Sequence, residues 1–343
     1  MAENLNTTTE SEVPSPLLDI SHLSVHFSRS GKLMRAVDNV SLHVAPGETL
    51  GLVGESGSGK TTIGRAVLRL LPDANTQWNG SIRYEGTDIA KLSKRDMRRT
   101  RGRLQMIFQD PVSSFNPRRK MEDIVAEGLV IQGVPRAERR ARVEQALADV
   151  GFALADVAGR RPHQFSGGQC QRIAIARALA VQPELIVCDE PVASLDVSVQ
   201  AHVINLLQDI REARNLALIF ISHDLAVVKN VSDRVAVLYM GRIVEVGTGE
   251  EIYDRPAHPY TRKLLEAVPV VDASRKIEPD AERAAIPSRI RPPTGCAFRT
   301  RCPRAAALCA DEEPTLTQAP RGQLVACHFP HDEAAPGMTA KTA

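Results

Sequence analysis

The chain has 343 residues, with 43 Lys plus Arg against 41 Asp plus Glu and a formal net charge of +2. That length holds one large domain with an appendage, or two modest domains. The charge balance argues against a general nucleic-acid binder, and no apolar run approaches the roughly 18–20 residues that span a bilayer.

Residues 1–16 are polar and acidic, lack the basic start and apolar core of a signal peptide, and are expected to be disordered. The chain is therefore expected to be cytosolic, and a role in transport would require membrane-spanning partners. From Leu17 to about Ile89 short alternating strands are predicted: LDISHLSVHF, VDNVSLHV, ETLGLVG and SIRYEG. After the third comes GESGSGKTT, residues 54–62, which matches the phosphate-cradling pattern G-x-x-x-x-G-K-[ST]. It follows the apolar run Thr49–Val53 and precedes a helix-like stretch, Thr61–Leu71, which is the context the pattern needs. Gly54, Gly57 and Gly59 let the backbone turn sharply. The N–H groups from Glu55, Ser56 and Ser58 through Thr62 can then face phosphate oxygens. Lys60 would reach the β- and γ-phosphates, and the Thr61 hydroxyl would ligate Mg²⁺.

A charged, helix-prone stretch, Lys91–Arg103, leads to the short strand LQMIF (104–108), at whose end stands Gln109. Residues 110–165 lack a strong strand and carry helical patterns near Met121–Gln132 and Arg136–Val150. They read as a helical subdomain inserted between the phosphate loop and the next strand. FSGGQCQR (165–172) opens a helix, Gln169–Val181. LIVCDE (185–190) is an apolar strand that ends in two carboxylates, Asp189 and Glu190. Its apolar run argues for burial, with the acids emerging at the strand end. There Asp189 would hold Mg²⁺ through water and Glu190 would act as general base in ATP hydrolysis. Helix Val197–Arg214, strand Ala217–Ser222 followed by His223, helix Leu225–Asn230 and the strands VAVLYM and GRIVEVG complete the pattern. Strands alternating with helices around a phosphate loop predict a parallel α/β core. One loop and one SGGQ mark a single unit without an internal duplicate.

A Pro-rich transition at 255–295 precedes the last group of cysteines. Cys170 and Cys188 lie in the core, whereas Cys296, Cys302, Cys309 and Cys327 crowd the tail with spacing C-x5-C-x6-C-x17-C. Disulfides fit a cytosolic chain poorly, and zinc sites show a tighter knuckle. Four thiolates would suit an iron–sulfur cluster. Four free cysteines fit the spacing equally well.

The phosphate loop, FSGGQCQR and LIVCDE together resemble the ATP-binding cassette (ABC) ATPases, over roughly residues 17–330. The resemblance implies an α/β P-loop NTPase core with an antiparallel β subdomain, an inserted helical subdomain (about 110–168) and a small C-terminal Cys-rich extension. It divides the chain into an ATPase domain (17–255), the extension (256–330) and a flexible tail (331–343). It implies that Ser166, Gly167, Gly168 and Gln169 form the signature loop, with Phe165 where Leu is usual. It further implies that Gln109 contacts Mg²⁺ and the attacking water, and that His223 contacts the γ-phosphate. Ser194, Leu195 and Asp196 would cross a dimer interface, and Phe27 would stack on adenine. A head-to-tail dimer follows, in which the signature of one subunit caps ATP bound to the other.

SSFNPRRK, HQFSGGQCQRIAIARAL and CDEPVASLDVSVQAHVINLL are similar to the dipeptide/oligopeptide importer ATPases, of the type that forms the second ATPase of a paired set. HPYTRKLL (258–265) and GC-x-F-x-x-RCP-x-A (295–305) look like the C-terminal extension of that subfamily, whose four cysteines bind a 4Fe–4S cluster. The expected cofactors are thus ATP, Mg²⁺ and a 4Fe–4S cluster held by Cys296, Cys302, Cys309 and Cys327. The expected partners are a paralogous or identical ATPase subunit, two membrane permeases and, through the complex, an extracytoplasmic solute-binding protein, with no nucleic acid. The expected location is the cytoplasmic face of the cell membrane, and the DPVSSFNPR segment would dock the permease. The same machinery could import nickel, glutathione or an oligosaccharide. A soluble ABC ATPase of DNA repair would carry long coiled coils between loop and signature, and a translation factor two cassettes; this chain has neither. Glu190 argues against a purely regulatory nucleotide binder.

Overall fold

The computed structural model describes residues 15–29, 31–267, 288–290, 292–320 and 322–331. Of the ends expected to be disordered or flexible, residues 1–14 and 332–343 lie outside the described residues, as do 268–287 and 291 of the Pro-rich transition. Two sheets organise the fold. The first contains β1 (Leu18–Arg29), β2 (Lys32–Val44), β4 (Thr76–Tyr84) and β5 (Thr87–Asp88), ordered β2-β1-β4-β5 and antiparallel. β1, β2 and β4 run longer than the sequence predicts, because their ends pair on a half-solvated surface where apolar alternation fades.

The second sheet has β3 (Thr49–Val53), β6 (Leu104–Ile107), β7 (Leu185–Asp189), β8 (Ala217–Ser222), β9 (Arg234–Tyr239), β10 (Arg242–Thr248), β11 (Thr317–Gln318) and β12 (Leu324–Val325). Its order is β11-β12-β10-β9-β3-β8-β7-β6. β9, β3, β8, β7 and β6 are parallel, and β10 turns back antiparallel on β9. β3, β7 and β8 are buried throughout, which explains their unbroken apolar runs. Successive side chains alternate between faces. Leu50, Leu52, Leu185, Val187, Ile219 and Ile221 pack toward the antiparallel sheet. Val53, Ile186, Cys188, Leu218 and Phe220 pack toward a second core shared with the helical subdomain.

That subdomain consists of helices Met121–Ile131, Arg136–Asp149 and Leu154–Val157, packed with the helix Gly167–Leu179. The C-terminal extension is joined to the main sheet: β12 pairs antiparallel with β10 through Glu245↔Val325 and Val246↔Leu324. Among the described residues, no helix is long and apolar enough to cross a membrane.

Candidate functional site

Parallel strands β3, β7 and β8 end at the same edge of the sheet, and each is followed by a residue set that the sequence singles out. After β3 the chain enters the loop 54–62. Gly54 has φ 149° and lies under the backbone of β9, where an added Cβ would sit 2.2 Å from the Leu238 carbonyl oxygen. Gly59 has φ 116° and a Cβ there would lie 2.6 Å from the carbonyl oxygen of Ala36. No side chain fits at either position, so glycine is dictated by close backbone approach as well as by conformation.

The helix Lys60–Val67 begins within this segment, with Gly59 at its N-cap. Gly59 supplies no side-chain cap, and the first turn carries no acidic residue. Its leading N–H groups are therefore left for an anion, with the positive end of the helix dipole behind them. Lys60 is buried; its Nζ donates to the carbonyl oxygens of Gly54 at 2.7 Å and Glu55 at 3.1 Å, folding over the loop. Burial pushes the Lys60 pKa down, whereas Glu190, Asp189 and Glu55 pull it up, and Arg289 pushes it further down. The Ser58 hydroxyl is buried without a hydrogen-bond partner. An uncapped helix start with a lysine folded over it fits a polyphosphate.

The Thr61 hydroxyl donates to Asp189 Oδ1 at 2.8 Å, across 128 residues of sequence. Asp189 is 4% exposed, and burial raises its pKa against the lowering effect of the Thr61 bond and of Arg65. A buried carboxylate beside a hydroxyl is a donor set suited to a small hard cation such as Mg²⁺. Glu190 follows with φ 49°, a left-handed conformation that is strained for a non-glycine residue and turns its side chain out of the strand direction. Gln109 Nε2 donates to Glu190 Oε2 at 3.1 Å, and His223 Nδ1 stands 3.3 Å from the same oxygen. The structure thus brings Gln109, Glu190 and His223 together. Gln109 meets the carboxylate read as the general base. β6 ends at Ile107, two residues before Gln109, which leaves that side chain on an exposed bend.

Ser166 and Gln169 cap the helix Gly167–Leu179 reciprocally: Gln169 N–H donates to Ser166 Oγ at 3.3 Å, and Ser166 N–H to Gln169 Oε1 at 2.9 Å. Among the described residues, no hydrogen bond or ion pair joins this signature loop to residues 54–62. Ser166 and Gly167 are exposed, as are Ser194 and Asp196, and Gly168 packs against Val199. The signature is therefore preformed and open to solvent. Phe27 stands near the end of β1, between Met34 and Thr76, partly buried against the apolar cluster.

Cys296, Cys302, Cys309 and Cys327 line one small cavity, together with His258 and Phe298. Cys296 N–H donates to the Cys309 carbonyl at 2.8 Å, which ties two of them together. Burial raises the thiols of Cys296 and Cys302, and pushes Cys327 up to about 11. Among the described residues, no three His, Cys, Asp or Glu side chains are grouped so as to hold a single metal ion. The iron–sulfur cluster expected from the sequence thus has no support here beyond the cavity that the four cysteines share. Cys170 and Cys188 are fully buried elsewhere, in the core.

Three residues near the loop escaped the sequence reading. The Tyr260 hydroxyl accepts the Glu55 N–H at 2.9 Å. Arg301 forms a two-pronged pair with the Glu55 carboxylate at 2.8 and 2.9 Å. Arg289 acts on Lys60 through its charge. Tyr260 lies in HPYTRKLL and Arg301 in GC-x-F-x-x-RCP-x-A, so both motifs were visible, but nothing in their spacing points at the loop.

The ABC transporter family model matches residues 37–193, and the model for the oligopeptide/dipeptide transporter C-terminal region matches residues 244–309. A putative peptide import ATP-binding protein of Brucella abortus is 51% identical over 315 residues, covering 91% of this chain and 98% of the relative. The oligopeptide transport ATP-binding protein OppF of Escherichia coli is 46% identical, covering 91% and 95%. Among solved structures, cbiO1 of Clostridium perfringens, part of a cbiONQ transporter complex, aligns with TM-score 0.60 and 26% identity, covering 69% of this chain and 90% of that one. The dimeric, ADP- and phosphate-bound cassette MJ0796 aligns with TM-score 0.60 and 25% identity, covering 67% and 98%. The chain belongs to the ABC transporter family, as an ATPase subunit of the kind that carries the oligopeptide/dipeptide transporter C-terminal region.

Proposed function

We propose that this subunit binds ATP on residues 54–62, hydrolyses it with Glu190 as general base, and so drives import of di- or oligopeptides through two membrane permeases. The observation that carries the chemistry is the convergence of Thr61–Asp189 and Gln109–Glu190–His223 at the ends of adjacent parallel strands. Water attacks the γ-phosphorus and gives its proton to Glu190, while the bond to the β-phosphate oxygen breaks, releasing ADP and phosphate. Gln109 orients the Glu190 carboxylate, and His223, beside that carboxylate, would donate to a γ-phosphate oxygen. Mg²⁺, held by Thr61 and through water by Asp189, would offset charge on the phosphate oxygens.

The exposed signature supports a head-to-tail dimer in which Ser166–Gln169 and Asp196 act on the opposite subunit's ATP, with Phe27 against adenine. Site completion on closure would couple hydrolysis to movement. The segment after Gln109 offers a permease-docking surface: Asp110 caps the short helix Pro111–Ser114 through Val112 and Ser113, and Val112 is exposed. This role places the subunit on the cytoplasmic membrane face, with a related or identical ATPase partner and an external solute-binding protein. The ATPase domain is assigned to 17–255 and the extension to 256–330. The four cysteines around one cavity, three of them in the matched C-terminal region, would be the ligands of a 4Fe–4S cluster of structural role.

The test is uptake. Cells lacking this subunit should lose accumulation of labelled di- and tripeptides, wild-type chain should restore it, and Lys60→Ala should not. Intact peptide uptake with loss of nickel, glutathione or oligosaccharide uptake would replace the peptide assignment.

A further inference from the structure

Glu55 is an anomaly in a loop that receives a polyanion. Its carboxylate stands between Gly54 and Ser56, and its own carbonyl accepts from Lys60 Nζ at 3.1 Å and from Ser58 N–H at 3.0 Å. A carboxylate at this place repels phosphate unless its charge is compensated. The compensating cation comes from 246 residues away. Arg301 Nη1 and Nη2 meet Glu55 Oε2 and Oε1 at 2.9 and 2.8 Å, a fork-to-fork pair with an arginine side chain only 9% exposed. Arg301 is held in turn by aromatic side chains: its guanidinium lies 5.8 Å from the ring centres of both Tyr239 and Phe298. Those rings pack with Tyr260, whose hydroxyl holds the Glu55 N–H. Backbone and side chain of Glu55 are thus both held by groups from outside the loop, two of them in the C-terminal extension.

We propose that Arg301 is a positioning and charge-compensating residue for nucleotide. It neutralises Glu55 and, with Tyr260, fixes the start of the phosphate loop, so that ATP affinity depends on a docked extension. The inference rests on the loop being the ATP site. Breaking the pair frees a negative charge close to the phosphates. At an effective dielectric of about 20, a unit charge within about a nanometre of a polyanion changes binding on the order of tenfold.

The experiment titrates purified full-length variants with trinitrophenyl-ATP and measures KM and kcat for ATP. Arg301→Gln should weaken binding and raise KM about tenfold with kcat largely retained. Glu55→Gln, which removes the repelling charge and leaves the Arg301 cation, should bind ATP more tightly than wild type, by up to about tenfold. The double variant, neutral at this pair as wild type is, should recover most of the wild-type affinity, and the Arg301→Gln defect should shift with ionic strength. Arg301→Lys, which keeps the charge, should recover most of the affinity. Glu55→Asp, altered only in the loop, keeps the charge but shortens the reach, and should bind more weakly than Glu55→Gln; it carries the test if Arg301→Gln does not fold. Wild-type affinity in Arg301→Gln, a double variant as weak as Arg301→Gln, or Glu55→Asp binding as well as Glu55→Gln would overturn the proposal. Unchanged binding in Lys60→Ala would instead remove the ATP site from this loop; a weakened Lys60→Ala beside a normal Arg301→Gln would sink only the inference.

Discussion

Glu245 is a carboxylate with no solvent exposure, in β10, at the seam between the ATPase core and the extension. Its Oε1 accepts from the Ala257 N–H at 2.7 Å and Gln323 Nε2 at 2.9 Å, and its Oε2 from the His258 N–H at 3.0 Å. Burial raises its pKa, and these donors pull it back down. Glu245→Ala strands two backbone donors and one amide donor. An unsatisfied buried donor costs roughly 1–3 kcal/mol. Water can enter the space left and satisfy part of the set, so we expect a local loss of about 3–5 kcal/mol. Glu245→Gln keeps an acceptor for Ala257 and Gln323 but turns an NH₂ toward the His258 N–H, which should cost about 1–3 kcal/mol. Hydrogen exchange at the Ala257 and His258 amides reads this directly, since every 1.4 kcal/mol is tenfold. The Ala variant should exchange at least about a hundredfold faster there, the Gln variant less, while β3 and β8 amides stay protected. Equal protection in wild type and Glu245→Ala would refute the claim that this carboxylate holds the extension in place.

Glu190→Gln should retain ATP binding and lose about 10²–10⁴-fold in steady-state hydrolysis, because shape is kept and the base is lost; near wild-type turnover would move the base elsewhere. Lys60→Ala should weaken ATP binding, whereas Ser166→Arg should leave binding intact and block closure and turnover, since the signature faces solvent in its own subunit; equal losses of affinity would contradict a composite site. Anaerobically purified protein should be brown and contain iron, and Ser at any of Cys296, Cys302, Cys309 or Cys327 should lower the iron content, with Cys170 and Cys188 dispensable. Stoichiometric zinc, or four titratable thiols without metal, would remove the cluster.

The loop 54–62, the signature and the acidic strand end were legible in the sequence because each is a contiguous device. Backbone conformation, capping and strand burial act over a few residues, so the pattern of Gly, Ser and apolar residues carries them. Ser166 and Gln169 show this well: a reciprocal cap needs only a three-residue spacing. The adjacency of Asp189 and Glu190 likewise marked a strand end, although the left-handed turn at Glu190 that separates their directions is invisible in LIVCDE.

What lies between remote segments was decided only by tertiary structure. Gln109 meets Glu190 because strand order puts β6 beside β7 and the side chain leaves from a bend beyond the strand. β11 and β12 are two residues each, too short for any periodicity, yet β12 attaches the extension to β10. Cysteine spacing left open whether the four thiols meet, and the folded extension gathers them around one cavity. The pair of Glu55 with Arg301 spans 246 residues. Sequence determined the loop 54–62 through local backbone chemistry; the pairing of Glu55 with Arg301 depends on how distant segments pack, and no short-range pattern encodes that.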